Sequence, residues 1–192
     1  MKVIFFGPPG VGKGTQAQMV AEKKNWRVLS MGDLLRDEVK TKSTIGIEVE
    51  ELIQRGSLVP DELILRFVDD FIIENRDTGL IFDGFPRNLN QAIALEQALS
   101  RQNEAVSFAL GFTLSHKDLI YRLTNRRYCP RCNKIYNIYT QPPQAEGICD
   151  QCGGKLVQRD DDREEVIIER LKVYEIETKA LVDYYTALGI YQ

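Results

Sequence analysis

The stretch KVIFFGPPGVGKGTQAQMVAEKKN, residues 2–25, decides the fold. An apolar run, KVIFF, leads into the loop GPPGVGKGTQ and then into a helical pattern that we expect to end near Asn25. The loop fits the phosphate-binding pattern G-x-x-x-x-G-K-[ST] through Lys13, but Gly14 stands at the hydroxyl position and the hydroxyl follows at Thr15. A tight glycine turn with an exposed lysine is the alternative. Because a strand precedes the loop and a helix follows it, the stretch predicts a phosphate site at a helix N-terminus.

Strand patterns and helical patterns alternate along the rest of the chain. Further strands are predicted within 27–30, 80–87 and 106–114. Helical patterns cover 32–56, 62–75, 88–102, 117–127 and 159–185, and we expect the last of these to be one long helix. This alternation predicts an α/β fold in which a parallel sheet is covered by helices on both faces.

The four cysteines lie close together in the sequence, in the pattern C-x₂-C-x₁₆-C-x₂-C formed by Cys129, Cys132, Cys149 and Cys152. This spacing is typical of a structural zinc site with four thiolate ligands. Two disulfides are one alternative, and they are rare in a reducing compartment. A catalytic zinc is another, but four thiolates leave no open ligand position. The surrounding segment lacks helical periodicity, so we expect an inserted minidomain that zinc stabilises.

Composition and charge limit the class of protein. The chain has 192 residues and a net charge of −3, so no overall positive field would attract nucleic acid. No apolar run approaches the ~18 residues that a membrane span needs, and the N-terminal apolar run is too short for a signal peptide. We therefore expect one cytoplasmic domain with a small insertion, and no nucleic-acid or membrane partner.

An acid and several arginines suggest phosphoryl transfer. Asp83 ends an apolar strand pattern, where such an acid can orient a magnesium ion or its waters, although a helix or turn cap is the alternative. Arginines recur in different segments, and any single one could be a solvated surface group. Transfer of a phosphoryl group needs several fixed cations, for which the guanidinium fork is well suited. The candidates are Arg36, Arg87, Arg122, Arg126, Arg159 and Arg170.

These motifs together resemble a known family. In chain order, GPPGVGKGTQ, GDLLR (32–36), LVPDEL (58–63), DGFPR (83–87), NRR (125–127) and RDDD (159–162) are similar to the motifs of adenylate kinases. With the cysteine pattern, the chain resembles the long-lid bacterial form, whose lid binds zinc. The resemblance implies a three-layer P-loop nucleoside monophosphate kinase fold with a parallel sheet and a small zinc-binding lid. It implies a core of residues 1–29, 60–124 and 163–192, an AMP-binding segment at 30–59 and a lid at 125–162.

The resemblance also implies an activity: a monomer that reversibly transfers the γ-phosphoryl group of ATP to AMP, giving two ADP, with Mg²⁺ bound to ATP and a structural Zn²⁺ in the lid. ATP would be bound by Gly10, Gly12, Lys13, Gly14, Thr15, Arg122, Arg126 and Tyr136. AMP would be bound by Met31, Arg36, Ile53, Val59, Gly84, Arg87, Gln91, Arg159 and Arg170, with Gln91 reading the adenine edge. Catalysis would rest on Lys13, Asp83, Arg87, Arg126, Arg159 and Arg170, with Asp83 holding the waters of the magnesium ion. Asp161 would contribute to closing of the lid.

Two features depart from the family pattern. Met31 stands where the family has a threonine that contacts the AMP adenine, so a kinase for UMP or CMP stays an alternative. The family continues beyond GIYQ with a final strand and a helix near the ATP adenine, whereas this sequence ends at Gln192. A second alternative is a non-catalytic nucleotide-binding zinc protein, for which a basic surface with stacking aromatics would be expected in the lid.

Overall fold

The fold is built on a four-stranded parallel sheet. The computed structural model describes all 192 residues. The strands are β1 (Lys2–Phe6), β2 (Arg27–Ser30), β3 (Leu80–Asp83) and β4 (Phe108–Gly111), in the spatial order β2-β3-β1-β4. In the centre, Val3 of β1 pairs with Ile81 on one side and Phe108 on the other. The carboxyl ends of all four strands therefore meet at one edge, which is where parallel sheets bind ligands.

Helices cover both faces of the sheet, as the alternating pattern predicts. They are α1 (Lys13–Lys24), α2 (Met31–Thr41), α3 (Thr44–Arg55), α4 (Asp61–Glu74), α5 (Leu89–Ser100), α6 (His116–Thr124), α7 (Glu164–Val173) and α8 (Ala180–Ala187). Side chains of β1 alternate between the faces: Ile4 and Phe6 pack into the main core, which α4, α5 and α8 complete, while Val3 and Phe5 pack against α1. The predicted three-layer α/β fold is confirmed. None of the helices is long and apolar enough to span a membrane.

The expectation of one long helix over 159–185 is wrong. Residues Asp160–Asp162 form a separate turn of 3₁₀ helix, and α7 begins only at Glu164. Two of the three acids of this turn are buried: Asp161 pairs with Arg170, and Asp162 is fully buried and binds Arg126, so the backbone cannot continue as a solvated helix N-terminus. Further along, a π-helical turn at Tyr174–Thr178 separates α7 from α8. That turn brings the Thr178 hydroxyl within 2.9 Å of the carbonyl oxygen of Arg87, to which it donates a hydrogen bond.

Two other helical patterns are also divided or shortened. Within 32–56 the helix is interrupted at Lys42, which has a φ of 53°, and Ser43 caps the next helix by accepting a hydrogen bond from Gly46 N. The pattern over 117–127 ends as a helix at Thr124. Its last residues instead form β5 (Arg126–Tyr128), which pairs in antiparallel fashion with β6 (Ile135–Asn137). This hairpin connects the cysteine-containing segment to the core.

Residues near Gln192 lie along the outer edge of β4. Ala109 N donates to Ile190 O, and Gln192 N donates to Ala109 O, both over 2.9 Å. Tyr191 thereby pairs in parallel with Ala109.

Candidate active site

The loop between β1 and α1 wraps around the ammonium group of Lys13. Lys13 Nζ donates to the carbonyl oxygens of Gly7, over 2.7 Å, and Pro8, over 3.0 Å. Gly10 has a φ of +84°, and a Cβ there would lie 2.7 Å from Cγ of Leu123 in α6, so only glycine fits this close approach. The loop thus holds a cation at the positive end of α1, an arrangement suited to phosphate.

Asp83, the last residue of β3, faces the same loop. A Cβ on Gly14 would lie only 3.0 Å from Asp83 Oδ2. Burial lowers the pKa of Lys13 to about 8, and the nearby Asp83 carboxylate limits that shift. Burial also raises the pKa of Asp83, against the opposing effect of Lys13. The half-buried carboxylate of Asp83 and the Thr15 hydroxyl line the same cavity, and both are oxygen donors that suit Mg²⁺.

Two of the predicted arginines are held by neighbouring buried carboxylates. Arg126 donates to both oxygens of Asp162, from Nε over 2.8 Å and from Nη2 over 2.6 Å. Arg170 lies 3.0 Å from Oδ2 of Asp161 and also donates to the carbonyl oxygen of that residue. The lid-side turn at 160–162 therefore orients guanidinium groups that would otherwise repel one another.

A second carboxylate bridge joins the 30–59 segment to the root of the lid. Arg36 and Arg159 both approach Oδ1 of Asp33, at 2.5 Å and 3.4 Å. Burial acts to raise the pKa of Asp33, but the two guanidinium groups outweigh it and hold that pKa below its usual value. Arg159 also lies over the ring of Tyr128, 5.1 Å from its centre, and its buried Nε has no protein partner. Arg159 is thus held in place while its buried Nε–H stays free to bind a ligand.

On the other side of the cavity, Arg87 adjoins an apolar region. Its Nε donates to Gly84 O over 2.9 Å, and burial lowers its pKa to about 10. Gln91, only 2% exposed, accepts a hydrogen bond from Arg87 N over 2.7 Å. Met31 and Val59 are buried beside this region. Because Met31 carries no hydroxyl, the amide of Gln91 is a prominent polar group on this apolar wall.

The structure brings all the predicted nucleotide-site residues to one cavity of about 740 Å³. Its walls include Gly10, Gly12, Lys13, Gly14, Thr15, Met31, Arg36, Ile53, Val59, Asp83, Gly84, Arg87, Gln91, Arg122, Arg126, Tyr136, Arg159 and Arg170. Arg122 lies at the loop end, where Nη1 approaches Val11 O at 3.4 Å. Tyr136 reaches the cavity from the lid, but its hydroxyl accepts from Asp150 N and lies 3.5 Å from Cys149 Sγ, turned toward the cysteine cluster.

Three carboxylates that bind predicted site residues escaped the sequence reasoning: Asp33, which binds Arg36 and Arg159, Asp61, which accepts from Gln91 Nε2, and Asp162, which binds Arg126. Asp33 and Asp61 lie at or near helix N-termini, where acids are common for local reasons. Asp162 belongs to an acidic run that resembles a solvated helix start. A signal was present in each case, because each acid lies in a short motif that also carries a predicted site residue. The motifs are GDLLR with Arg36, LVPDEL with Val59 and RDDD with Arg159.

The cysteine cluster has the geometry of a metal site. The four sulfur atoms of Cys129, Cys132, Cys149 and Cys152 all lie within 4.8 Å of one another. The distances are 3.4 Å between Cys129 and Cys152 and 3.5 Å between Cys132 and Cys149. Tetrahedral zinc with Zn–S bonds of about 2.3 Å sets sulfur atoms about 3.8 Å apart, so the cluster could hold zinc after small adjustments. Two of the thiols, Cys129 and Cys149, are buried in the small core of the lid.

Comparison with known proteins agrees with this geometry. The family model described as adenylate kinase matches residues 5–190. The chain is 46% identical to the adenylate kinase of Thermodesulfovibrio yellowstonii, over 99% of this chain and 89% of that protein. It is 43% identical to the adenylate kinase of a Hydrogenobaculum species, over 96% and 88% of the two chains, and 42% identical to that of Thermosipho africanus, over 96% and 87%. This protein therefore belongs to the adenylate kinase family.

Proposed function

We propose that this nucleoside monophosphate kinase reversibly transfers the γ-phosphoryl group of MgATP to AMP, giving two ADP. One observation carries the proposal. A single cavity has a lysine-bearing phosphate loop at one end, an apolar region with a buried amide at the other, and several arginines between them. That order of groups fits a donor triphosphate and an acceptor monophosphate placed head to head.

In the donor half, the loop from Gly7 to Thr15 would hold the ATP phosphates through its backbone N–H groups and Lys13. Arg122 would lie against the ATP base. Magnesium, when bound, supplies charge neutralisation between the β- and γ-phosphates. Asp83 would hold its waters, and Thr15 offers the nearest hydroxyl along the chain to the loop lysine.

In the acceptor half, Arg36 and Arg87 would bind the AMP phosphate. Gln91 would read the edge of the base against an apolar wall formed by Met31, Ile53 and Val59. The wall excludes water from the base, so the polar contacts of Gln91 gain in strength. Gly84 has a φ of +74°, a backbone conformation that favours glycine at this turn beside Arg87.

Phosphoryl transfer needs no protein nucleophile, since the acceptor phosphate already carries charge. The enzyme supplies alignment and cations at the transferring group. Arg126, Arg159 and Arg170 would serve there. Their acidic partners hold the guanidinium groups in place, so that these groups lose little freedom when a phosphate binds.

Two segments would move in catalysis: the AMP-binding segment at 30–59 and the lid at 125–162, against a core of 1–29, 60–124 and 163–192. In this structure they touch, through the Asp33 bridge to Arg159 and through Lys40 Nζ, which donates to Pro130 O over 3.0 Å. Closure would exclude water as a rival acceptor. Zinc in the lid would keep the cysteine-containing segment rigid, so that it moves as one body.

We further propose that the enzyme works as a cytoplasmic monomer. A single chain brings the phosphate loop, the arginines and the apolar wall to one cavity, which supports the monomer as the working unit. The four cysteines are unpaired thiols, which suits zinc binding in a reducing compartment.

The test measures ADP formation from ATP with AMP, UMP, CMP or no acceptor. We expect ADP formation with AMP far above the other acceptors and almost none without an acceptor. ADP formation that does not depend on AMP would refute a phosphotransferase that uses AMP, and equal rates with UMP or CMP would refute the acceptor choice. Arg87→Lys should raise the KM for AMP at least tenfold, because a bidentate guanidinium contact is lost. The matched control is Arg101→Lys, since Arg101 is exposed and binds only Asp69.

A further inference from the structure

The buried amide of Gln91 lies between two protein groups of opposite hydrogen-bonding character. Arg87 N donates to Gln91 Oε1 over 2.7 Å, and Gln91 Nε2 donates to Asp61 Oδ1 over 2.7 Å. A backbone N–H can only donate, and a carboxylate can only accept. These two neighbours therefore fix which end of the amide is oxygen and which is nitrogen.

Asp61 is itself held in place. Asn88 Nδ2 donates to both of its carboxylate oxygens, over 3.1 Å and 3.3 Å. The orientation of the Asn88 amide follows from its other contact, since its Oδ1 accepts from Gln91 N at the start of α5. Every group in this small network therefore has a defined role as donor or acceptor. The assignment starts from the backbone N–H groups of Arg87 and Gln91, which can only donate.

The network leaves part of the Gln91 amide for a ligand. A primary amide has two N–H groups and two oxygen lone pairs. The bonds to Asp61 and Arg87 use one of each, so one N–H and one lone pair remain. Gln91 lines the cavity next to the apolar Met31 and Val59. The remaining donor and acceptor are therefore available at fixed positions on the wall proposed for the acceptor base.

We infer that Asp61 is a positioning residue that, together with the backbone N–H of Arg87, sets the acceptor-base selectivity of the enzyme through Gln91. Adenine offers a 6-amino donor and an N1 acceptor. Hypoxanthine, a purine of the same size, offers the reverse pair, an O6 acceptor and an N1–H donor. An amide held in one orientation matches only one of these edges, whereas an amide free to rotate by half a turn can match either. This inference rests on the proposed function, because it takes AMP as the acceptor.

The experiment compares AMP with inosine monophosphate (IMP) as acceptors for the wild type and for Asp61→Asn. An amide at position 61 keeps the shape of the side chain but can present either an oxygen or an N–H group to Gln91. We expect the ratio of kcat/KM for AMP to that for IMP to fall about tenfold in this variant. A tenfold change is close to the smallest effect expected when a hydrogen bond to a charged group is lost. The KM for ATP should stay within twofold of the wild type.

The control is Asp69→Asn on the same helix, which removes an equal charge at a site that binds Arg101. Its AMP to IMP ratio should match the wild type. If Asp61 had only a structural role, its replacement would disturb the loop that carries Arg87. The KM for AMP and the KM for IMP would then rise by the same factor. An unchanged ratio in an enzyme that uses AMP would overturn this inference and leave the proposed function intact.

Failure of the proposed function looks different, because it shows in the wild type itself, as ADP formation that does not depend on AMP or as equal rates with UMP or CMP. If Asp61→Asn does not fold, Asp61→Ser takes its place, since a hydroxyl can also donate or accept. The same fall in the ratio is expected of it, and an unchanged ratio again overturns the inference.

Discussion

The carboxylate of Asp83 lies in the space that a side chain on residue 14 would need. An ideal Cβ on Gly14 would stand 3.0 Å from Asp83 Oδ2, closer than carbon and oxygen atoms normally approach. This relationship explains why the loop departs from the general phosphate-binding pattern. A serine or threonine at position 14 would displace the acid at the end of β3, so the hydroxyl comes one residue later, at Thr15.

The first prediction is that Gly14→Ala lowers activity while the fold gains stability. The residue lies in the first turn of α1, where alanine is favoured over glycine by about 0.5–1 kcal/mol. The methyl group should move the Asp83 carboxylate by a few tenths of an ångström and lower kcat/KM for MgATP about tenfold, a change of about 1.4 kcal/mol. Steady-state kinetics and thermal unfolding measure the two effects. Gln18→Ala, exposed on the same helix, is the control for activity. Unchanged activity would show that Asp83 tolerates the shift.

Arg126 and Asp162 form the most buried ion pair at the root of the lid, with the Asp162 side chain fully buried and that of Arg126 16% exposed. We predict that Asp162→Asn lowers the free energy of unfolding by about 2 kcal/mol, because Arg126 loses its charged partner in a site with little water. The KM for ATP should also rise several-fold as the guanidinium group loses its fixed orientation. Denaturant unfolding and steady-state kinetics test this.

Asp160→Asn is the matched control, since Asp160 is exposed two residues away in the same turn. Its stability should stay within about 0.5 kcal/mol of the wild type. Equal effects of the two substitutions would mean that the net charge of the acidic run matters and the buried pair does not.

The sequence was most informative where local rules determine structure. The strand, loop and helix of residues 2–25 follow from an apolar run, glycines and helical periodicity, and all three appear as expected. The cysteine spacing likewise predicted four sulfur atoms close enough to share one ion. Arg87 follows the end of β3, and Arg126 and Arg159 border the lid, which places these three arginines at the same edge of the sheet.

Sequence reasoning failed where tertiary contacts overrode local preference. The acids at 160–162 have the composition of a solvated helix start, yet Asp162 is drawn inward by Arg126, which lies 36 residues away. The π-helical turn ending at Thr178 likewise coincides with a hydrogen bond to Arg87, 91 residues distant. No periodicity within the segment could reveal partners so far along the chain, and the same holds for the bond from Gln91 to Asp61.

A further prediction concerns protons taken up when ATP binds. Burial lowers the pKa of Lys13 to about 8, so near pH 8 about half of the free enzyme lacks this charge. The triphosphate favours the ammonium form and should raise the pKa again. Binding of MgATP at pH 8 should therefore take up about half a proton, measurable by calorimetry in two buffers of different ionisation enthalpy.

The same shift sets the sign of a stability effect. The unfolded chain keeps the ordinary lysine pKa of about 10.4, so it binds more protons than the folded chain between about pH 8 and 10.4. The contribution of Lys13 therefore destabilises the ligand-free fold below pH 8, and this cost falls as the pH rises through that window. Lys13→Arg stays charged throughout and should abolish the proton uptake. Uptake that persists in this variant would assign the proton to another group.

The last prediction is that the cysteine cluster stabilises the lid more than it serves the chemistry. Cys129 is completely buried, and its sulfur lies 3.4 Å from that of Cys152. Cys129→Ser should abolish stoichiometric zinc and lower the melting temperature by about 5 °C or more, since each kcal/mol shifts Tm by about 2–4 °C in a chain of this size. Because Arg126 and Arg159 border the lid, the KM for ATP should rise while kcat falls less than tenfold.

Metal analysis, thermal unfolding and kinetics give the three readouts, and chelation of the wild type should reproduce the shift in melting temperature. An equal melting temperature with zinc still bound would contradict the assignment of Cys129 as a ligand, and a loss of kcat far larger than the loss of stability would place the metal in the chemistry itself.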